Sequence, residues 1–240
     1  MIKNRKLRLS LICLFIIFEL TCLLLNLCKV PYAGTHLAYF SIIICFIFSI
    51  FAFKKETKNL HIIIALLFTY LADSCLVPHF NGSYNGELGL VFFNFAQISY
   101  FLFILFRSEK KLWLPHIIVR GCLILAMVIV AVVVLKDKTD FLSIVTVIYF
   151  ANLICNLAFS IFNFKKDPLI PIGFLLFALC DITTGFNTII NSGYLSISSS
   201  SLIYKLAMSD FNFTWLFYQP SQILLTLSAY YCVYSKHSEK

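Results

Sequence analysis

Eight times along this 240-residue chain, an apolar run of about twenty residues gives way to a short charged or turn-forming piece. No other feature limits the fold so strongly. A helix of that length just crosses the roughly 30 Å hydrocarbon core of a bilayer. In hydrocarbon, only elements that satisfy their own backbone hydrogen bonds persist. The runs fall at about 9–28, 36–53, 60–78, 88–106, 113–135, 141–164, 169–190 and 213–234, with KKETKN, HFNGSYNGE, RSEKK, KDKTD and KKDP among the separators. Prolines 31, 78, 115, 168 and 171 stand at or near run ends, where a missing N–H harms a helix least. The expected fold class is therefore all-α: a single integral membrane domain over residues 1–240, a polytopic transmembrane bundle of about eight helices. Only 12% of residues are charged, about half the density of a soluble domain, and the loops leave no room for one. The longest connection, 191–212, contains SLIYKLAM, which can form a short helix on the surface.

The start, MIKNRKLRLS followed by LICLFIIFEL, resembles a secretory signal. It lacks a small-residue cleavage site and Glu19 interrupts the run, so an uncleaved first helix is expected. The net charge of +8 reads as topology. Fourteen basic residues fall on one side of the eight runs: Lys3, Arg5, Lys6, Arg8, Lys54, Lys55, Lys58, Arg107, Lys110, Lys111, Lys165, Lys166, Lys236 and Lys240. Four fall on the other, Lys29, Lys136, Lys138 and Lys205. That asymmetry places both termini in the cytoplasm, with the lysines resting on anionic headgroups, so no nucleic-acid partner is implied. Abundant Phe, Ile and Lys beside few Gly and Ala point to an AT-rich bacterial genome, hence a plasma membrane. The nine cysteines lie mostly inside apolar runs without CxxC spacing and read as small hydrophobes. Histidines 36, 61, 79, 116 and 237 show no metal-ligand spacing, and there is no GxSxG elbow or phosphate-binding loop. Neither metal nor cofactor is expected.

Ionisable groups inside hydrocarbon cost several kcal/mol and usually mark a site or a wet cavity. LLFTYLADSCLV, residues 66–77, places Asp73 about 20 Å up the third run at 1.5 Å per residue, and Asp181 lies about 18 Å up the seventh. Gln97 and Gln222 lie about 14 Å down the fourth and eighth runs, each with a tyrosine one turn away, Tyr100 and Tyr218. All six converge on one layer. LLFTYLAD also resembles LLFALCD of the seventh run, and each is followed by a run carrying Tyr and Gln. A parallel internal repeat, in which two four-helix halves present Asp73 and Asp181 to a shared cavity, is the expectation. Glu19 and Arg120 are read as a structural ion pair, or Arg120 as snorkelling to the headgroups. Asn152 and Asn156, at i and i+4, are read as interhelical hydrogen-bonding residues, and Asn26 and Asn187 as cavity liners.

Four blocks, LLFTYLADSCLV, GLVFFNFAQISY (89–100), GFLLFALCDITTGFN (173–187) and YQPSQILLTLS (218–228), resemble the YhhN family, eight-span proteins that include the lysoplasmalogenases. Gly173, Phe177, Asp181 and Asn187 fall at the family spacing. The resemblance implies hydrolysis of the vinyl-ether bond of a lysophospholipid-class substrate by acid/base chemistry of Asp73 and Asp181. Gln97, Tyr100, Asn187, Tyr218 and Gln222 would orient substrate and water. One Asp must carry a proton, the form a low dielectric favours, while the other, ionised, stabilises the oxocarbenium ion and activates water. The chain departs from the family in having Gln97 where His is usual, no Lys early in the second run, and Ala72 and Cys180 before the two acids. An amide cannot shuttle a proton as imidazole does. The alternative reading is accordingly a non-catalytic lipid or small-solute binder, or a proton-coupled transporter, using the same aspartates.

Overall fold

The computed structural model describes residues 5–30, 33–53, 59–76, 85–108, 110–162, 164–165, 167–191, 198, 200–209 and 211–235. Its α-helices are α1 (Arg5–Leu27), α2 (Ala33–Phe53), α3 (Leu60–Leu76), α4 (Gly86–Arg107), α5 (Trp113–Leu135), α6 (Phe141–Ile161), α7 (Leu169–Asn191), α8 (Leu202–Ala207) and α9 (Phe213–Ser235), with no strand among the described residues. The eight long helices coincide with the eight apolar runs, and α8 with the SLIYKLAM piece. Five are long and apolar enough to cross a membrane, and Tyr39–Ile50 and Leu60–Leu76 form shorter apolar helices. Among the residues on which the orientation was argued, Lys3, Lys54, Lys55, Lys58, Lys166, Lys236 and Lys240 lie outside the described ones, as do Pro31 and Pro78.

Solvent identity is written most plainly on α5. Its buried residues are His116, Arg120 and Ala131, while Leu114, Ile117, Ile118, Val119, Leu125, Ile129, Val133 and Val134 are exposed. Polar inside and aliphatic outside is untenable in water and required in lipid. Helix α9 obeys the same rule from the other direction: Gln219, Ser221, Gln222, Thr226 and Ser228 are all buried.

The chain divides into two compact units, Met1–Ser41 with Ile172–Leu224, and Ile42–Pro171 with Leu225–Lys240. The larger is built on an antiparallel α3–α4 pair. His61 stacks on Phe106 at 5.0 Å, Phe68 lies tilted against Phe95 at 5.2 Å, and the Asn85 N–H donates to the Cys75 carbonyl at 3.0 Å. Asn85 also caps α4, its side chain accepting from the Leu88 N–H. Close approach is allowed by Gly89: a Cβ there would meet Leu76 Cγ at 2.7 Å and the Ala72 carbonyl oxygen at 3.3 Å. Helix α6 lies against α4 through Phe93–Tyr149 and through Asn94, which donates to the Val145 carbonyl at 3.1 Å. Helix α5 lies against α6, with His116 stacked on Phe159 at 3.7 Å. Asp140 starts α6 with a capping box to Ser143, whose amide and hydroxyl hold the carboxyl below the usual range.

One end of this unit is clamped by Arg107. Its guanidinium donates to Asp167 at 2.9 Å, to the Asn59 side chain at 3.1 Å and to the Ser228 carbonyl at 3.4 Å, and lies 3.9 Å over the Phe103 ring. Asn59 in turn donates to the Ala229 carbonyl at 3.2 Å. The start of α3, the end of α4, the start of α7 and the later turns of α9 therefore share one face, as the alternation of runs requires. Burial pushes the Asp167 carboxyl up to about 6, outweighing Arg107 and the amides of Leu169 and Ile170, which pull it down.

In the smaller unit, α1, the first turns of α2, α7 and α9 are joined by polar side chains. Glu19 accepts from Ser41, and Asn212 donates to Asn26 at 2.9 Å. The hydroxyls of Thr184 and Thr214 meet at 3.1 Å, and Phe177 lies edge-on to Tyr218 at 5.6 Å.

Gly89→Ala should lower stability in detergent by about 1–3 kcal/mol, and Leu76→Ala in the same chain should recover part of the loss, since it removes the overlapping atoms. Thermal unfolding of the two single variants and the double variant measures this coupling. For Asp167, the raised value means that the native state holds the proton more tightly than the unfolded chain. Its stabilising share is complete below about pH 4 and is lost as pH climbs through about 6. Wild type should therefore gain on Asp167→Asn by about 1–3 kcal/mol as pH falls from about 8 to about 5, read from paired melting curves.

Candidate functional site

Asp73 sits 6% exposed on α3, one turn beyond Thr69. Thr69 and Tyr100 are hydrogen-bonded through their side chains, and Asp73 and Cys45 lie near enough to act electrostatically on the Tyr100 hydroxyl. Thr69 also donates to the Ala65 carbonyl at 2.9 Å. The Gly89 contact sets this geometry, because it draws α4 onto the α3 turn that carries Ala72 and Asp73. Three of the predicted site residues, Asp73, Gln97 and Tyr100, thus belong to one unit and one helix pair.

Gln97 is fully buried, one turn before Tyr100. Asn156 of α6 donates to the Gln97 side-chain oxygen at 2.8 Å and to its carbonyl at 2.9 Å. Asn156 accepts from Arg120 at 2.6 Å, and Arg120 also donates to the Asn152 side chain. The Arg120 guanidinium is 4.1 Å over the Phe101 ring and 8% exposed. Where an ion pair with Glu19 or snorkelling to the headgroups was expected of it, the buried Arg120 guanidinium takes two amide oxygens of α6. Amides of α6, one turn apart on the face packed against α5, reach the guanidinium with two oxygens. The interhelical role expected of Asn152 and Asn156 is what the structure shows.

The smaller unit holds the remaining predicted residues. Asp181 is half-buried on α7, one turn beyond Phe177, whose ring meets Tyr218. Tyr218 is 5% exposed, with Trp215 on its other side at 5.4 Å. Gln222 is fully buried and donates to the Ser221 hydroxyl at 3.1 Å. Asn187 accepts from Asn191 at 2.9 Å. The two helix pairs repeat one contact: the residue four before each Asp, Thr69 or Phe177, touches the tyrosine of the partner helix, Tyr100 or Tyr218.

Sequence reasoning missed the setting of Glu19. This carboxylate is fully buried, accepting from Ser41 and, at 2.9 Å, from Gln219, which also bonds the Glu19 carbonyl at 2.8 Å. The available signal was Gln219 itself, a second glutamine in YQPSQ three residues before Gln222. Among the described residues, no three His, Cys, Asp or Glu side chains come together as a metal site requires.

Apolar helices that expose aliphatic side chains and bury their charged and amide groups define a polytopic helical membrane protein. The YhhN family model matches residues 32–229, and the chain belongs to the YhhN family. No curated protein and no solved structure matches it. The match takes in Asp73, Gln97, Tyr100, Asp181, Asn187, Tyr218 and Gln222 and leaves out Glu19, so the acid on α1 joins family positions from outside the matched segment.

Glu19→Leu should destabilise by about 1–3 kcal/mol by stripping Ser41 and Gln219 of a buried acceptor. Glu19→Gln keeps an oxygen there and should cost less than about 1 kcal/mol, both read by thermal melts in detergent.

Proposed function

We propose that this protein is a membrane-embedded hydrolase of the lysoplasmalogenase type, cleaving the vinyl ether of a lysophospholipid with Asp73 and Asp181. The observation that carries this reading is Asp73 itself, a carboxyl buried in the apolar α3 within electrostatic reach of the Tyr100 hydroxyl. Hydrocarbon makes such a group expensive, which marks its position as a functional site. Family membership supports the same reading.

A vinyl ether breaks once its β-carbon is protonated. One Asp gives that proton, leaving an oxocarbenium ion; the other, ionised, stabilises the cation and takes a proton from the attacking water. The hemiacetal then collapses to a fatty aldehyde and the glycerophospho alcohol. Gln97, Tyr100, Asn187, Tyr218 and Gln222 orient substrate and water, and the chemistry calls on no metal or cofactor.

The second reading, a lipid-binding protein or proton-coupled transporter, is favoured by one observation: Gln97 is an amide, which neither gives nor takes a proton at neutral pH. Proton flux in proteoliposomes without product from any lysolipid would select it.

Purified protein incubated with alkenyl, alkyl and acyl lysolipids should release aldehyde from the alkenyl lipid alone, detected by mass spectrometry. Asp73→Asn and Asp181→Asn should each reduce that rate by about 10²–10⁴-fold while the melting temperature holds. Full activity in either variant would remove the two-acid scheme.

A further inference from the structure

Arg120, Asn156 and Gln97 form a chain of hydrogen bonds in which every donor and acceptor is assigned by chemistry. A guanidinium has only donors. Asn156 bonds Arg120 at 2.6 Å, so it must present its oxygen there. Its nitrogen is then the atom facing Gln97, where it meets two oxygens, the Gln97 carbonyl and side-chain oxygen. The carbonyl can only accept, which fixes the same orientation a second time. Gln97 must therefore turn its own oxygen to Asn156 and its NH₂ away. That Nε2 is buried in a fully buried residue and finds no partner among the described residues. A buried amide donor left without an acceptor costs about 1–3 kcal/mol. Evolution of a purely structural network has a simpler solution here, since an apolar residue would leave no orphan.

We infer that Arg120 and Asn156 are positioning residues that hold Gln97 as an N–H donor for an oxygen of a bound lipid, a phosphate, glycerol or ether oxygen of a lysophospholipid. The inference rests on the proposed lipid-hydrolase reading and assigns Gln97 a binding role within it. Tyr100, one turn along α4, lies within electrostatic reach of Asp73, so a lipid oxygen held by Gln97 is on the helix pair that carries the acid. The cation contributes at a distance: Arg120 polarises the Asn156 amide, which strengthens its bond to Gln97 and makes the free N–H more acidic.

The test reverses the polarity of the relay without changing its shape. Asn156→Asp keeps the bond to Arg120 but meets Gln97 with an oxygen: the Gln97 side-chain amide must turn and show its own oxygen instead, while the Gln97 main-chain carbonyl, which cannot turn, loses its donor. Asn152→Asp places the same new charge beside Arg120 and leaves Gln97 untouched. The probe is a saturated 1-O-alkyl lysophosphatidylcholine, whose ether cannot be protonated at carbon, titrated by calorimetry into protein in dodecyl maltoside. Asn156→Asp and Gln97→Glu should each weaken binding about tenfold or more, with Asn152→Asp within about twofold of wild type. Equal binding by Asn156→Asp and wild type would overturn the inference, as would equal weakening by Asn152→Asp, which traces the effect to charge alone. Should Asn156→Asp fail to fold, Gln97→Met decides: it removes the donor, and wild-type affinity there overturns the proposal. Absence of binding by wild type would overturn the lipid reading as well, an outcome distinct from a wild type that binds and variants that bind equally.

Discussion

A guanidinium in hydrocarbon must be surrounded by acceptors, and those must come from neighbouring helices. Arg120 sets that requirement in this protein. It recruits two amides of α6 and the face of Phe101 on α4, and so ties α4, α5 and α6 together at one level. Because lipid gives no hydrophobic force between helices, polar bonds and close packing carry the assembly. The exposed aliphatic coat of α5 does the opposite work of holding that helix in the bilayer.

Close packing and polar bonding divide the labour along α3 and α4. Gly89 removes the side chain that would hold the helices apart near Leu76 and Ala72. At the other end, Arg107 gathers Asn59, Asp167 and the Ser228 carbonyl. Asp73 lies on the very turn of α3 that Gly89 meets, and Thr69 and Tyr100 lie between that contact and the clamp, so the candidate acid is supported by close packing. Rigid supporting contacts are what an acid/base residue requires to hold a productive geometry.

The same logic explains why amides and hydroxyls, rather than salt bridges, dominate the buried polar groups. Among the described residues the ion pair found is Arg107–Asp167, at the helix ends. Deeper in, Glu19 takes a hydroxyl and an amide, and Arg120 takes two amides. An amide brings both a donor and an acceptor and can pass a bond onward, as Asn156 does to Gln97. That property turns a structural contact into one with a direction.

By itself the sequence determined where the helices lie and that they belong in a membrane, because a twenty-residue apolar run has one physical use and its ends are marked by charge and proline. It also pointed to Asp73, Asp181, Gln97 and their tyrosines, since polar residues are conspicuous against an apolar background. The partners of Glu19 and Arg120 were not legible: depth along a helix follows from counting, whereas rotation and neighbour choice follow from side-chain packing. The clamp at Asp167 was hidden for a related reason, its KKDP loop reading as a topological marker until the fold buried it. Tertiary structure alone decided which atom of Gln97 is free, because an amide is symmetric in sequence and acquires a direction only from what it touches.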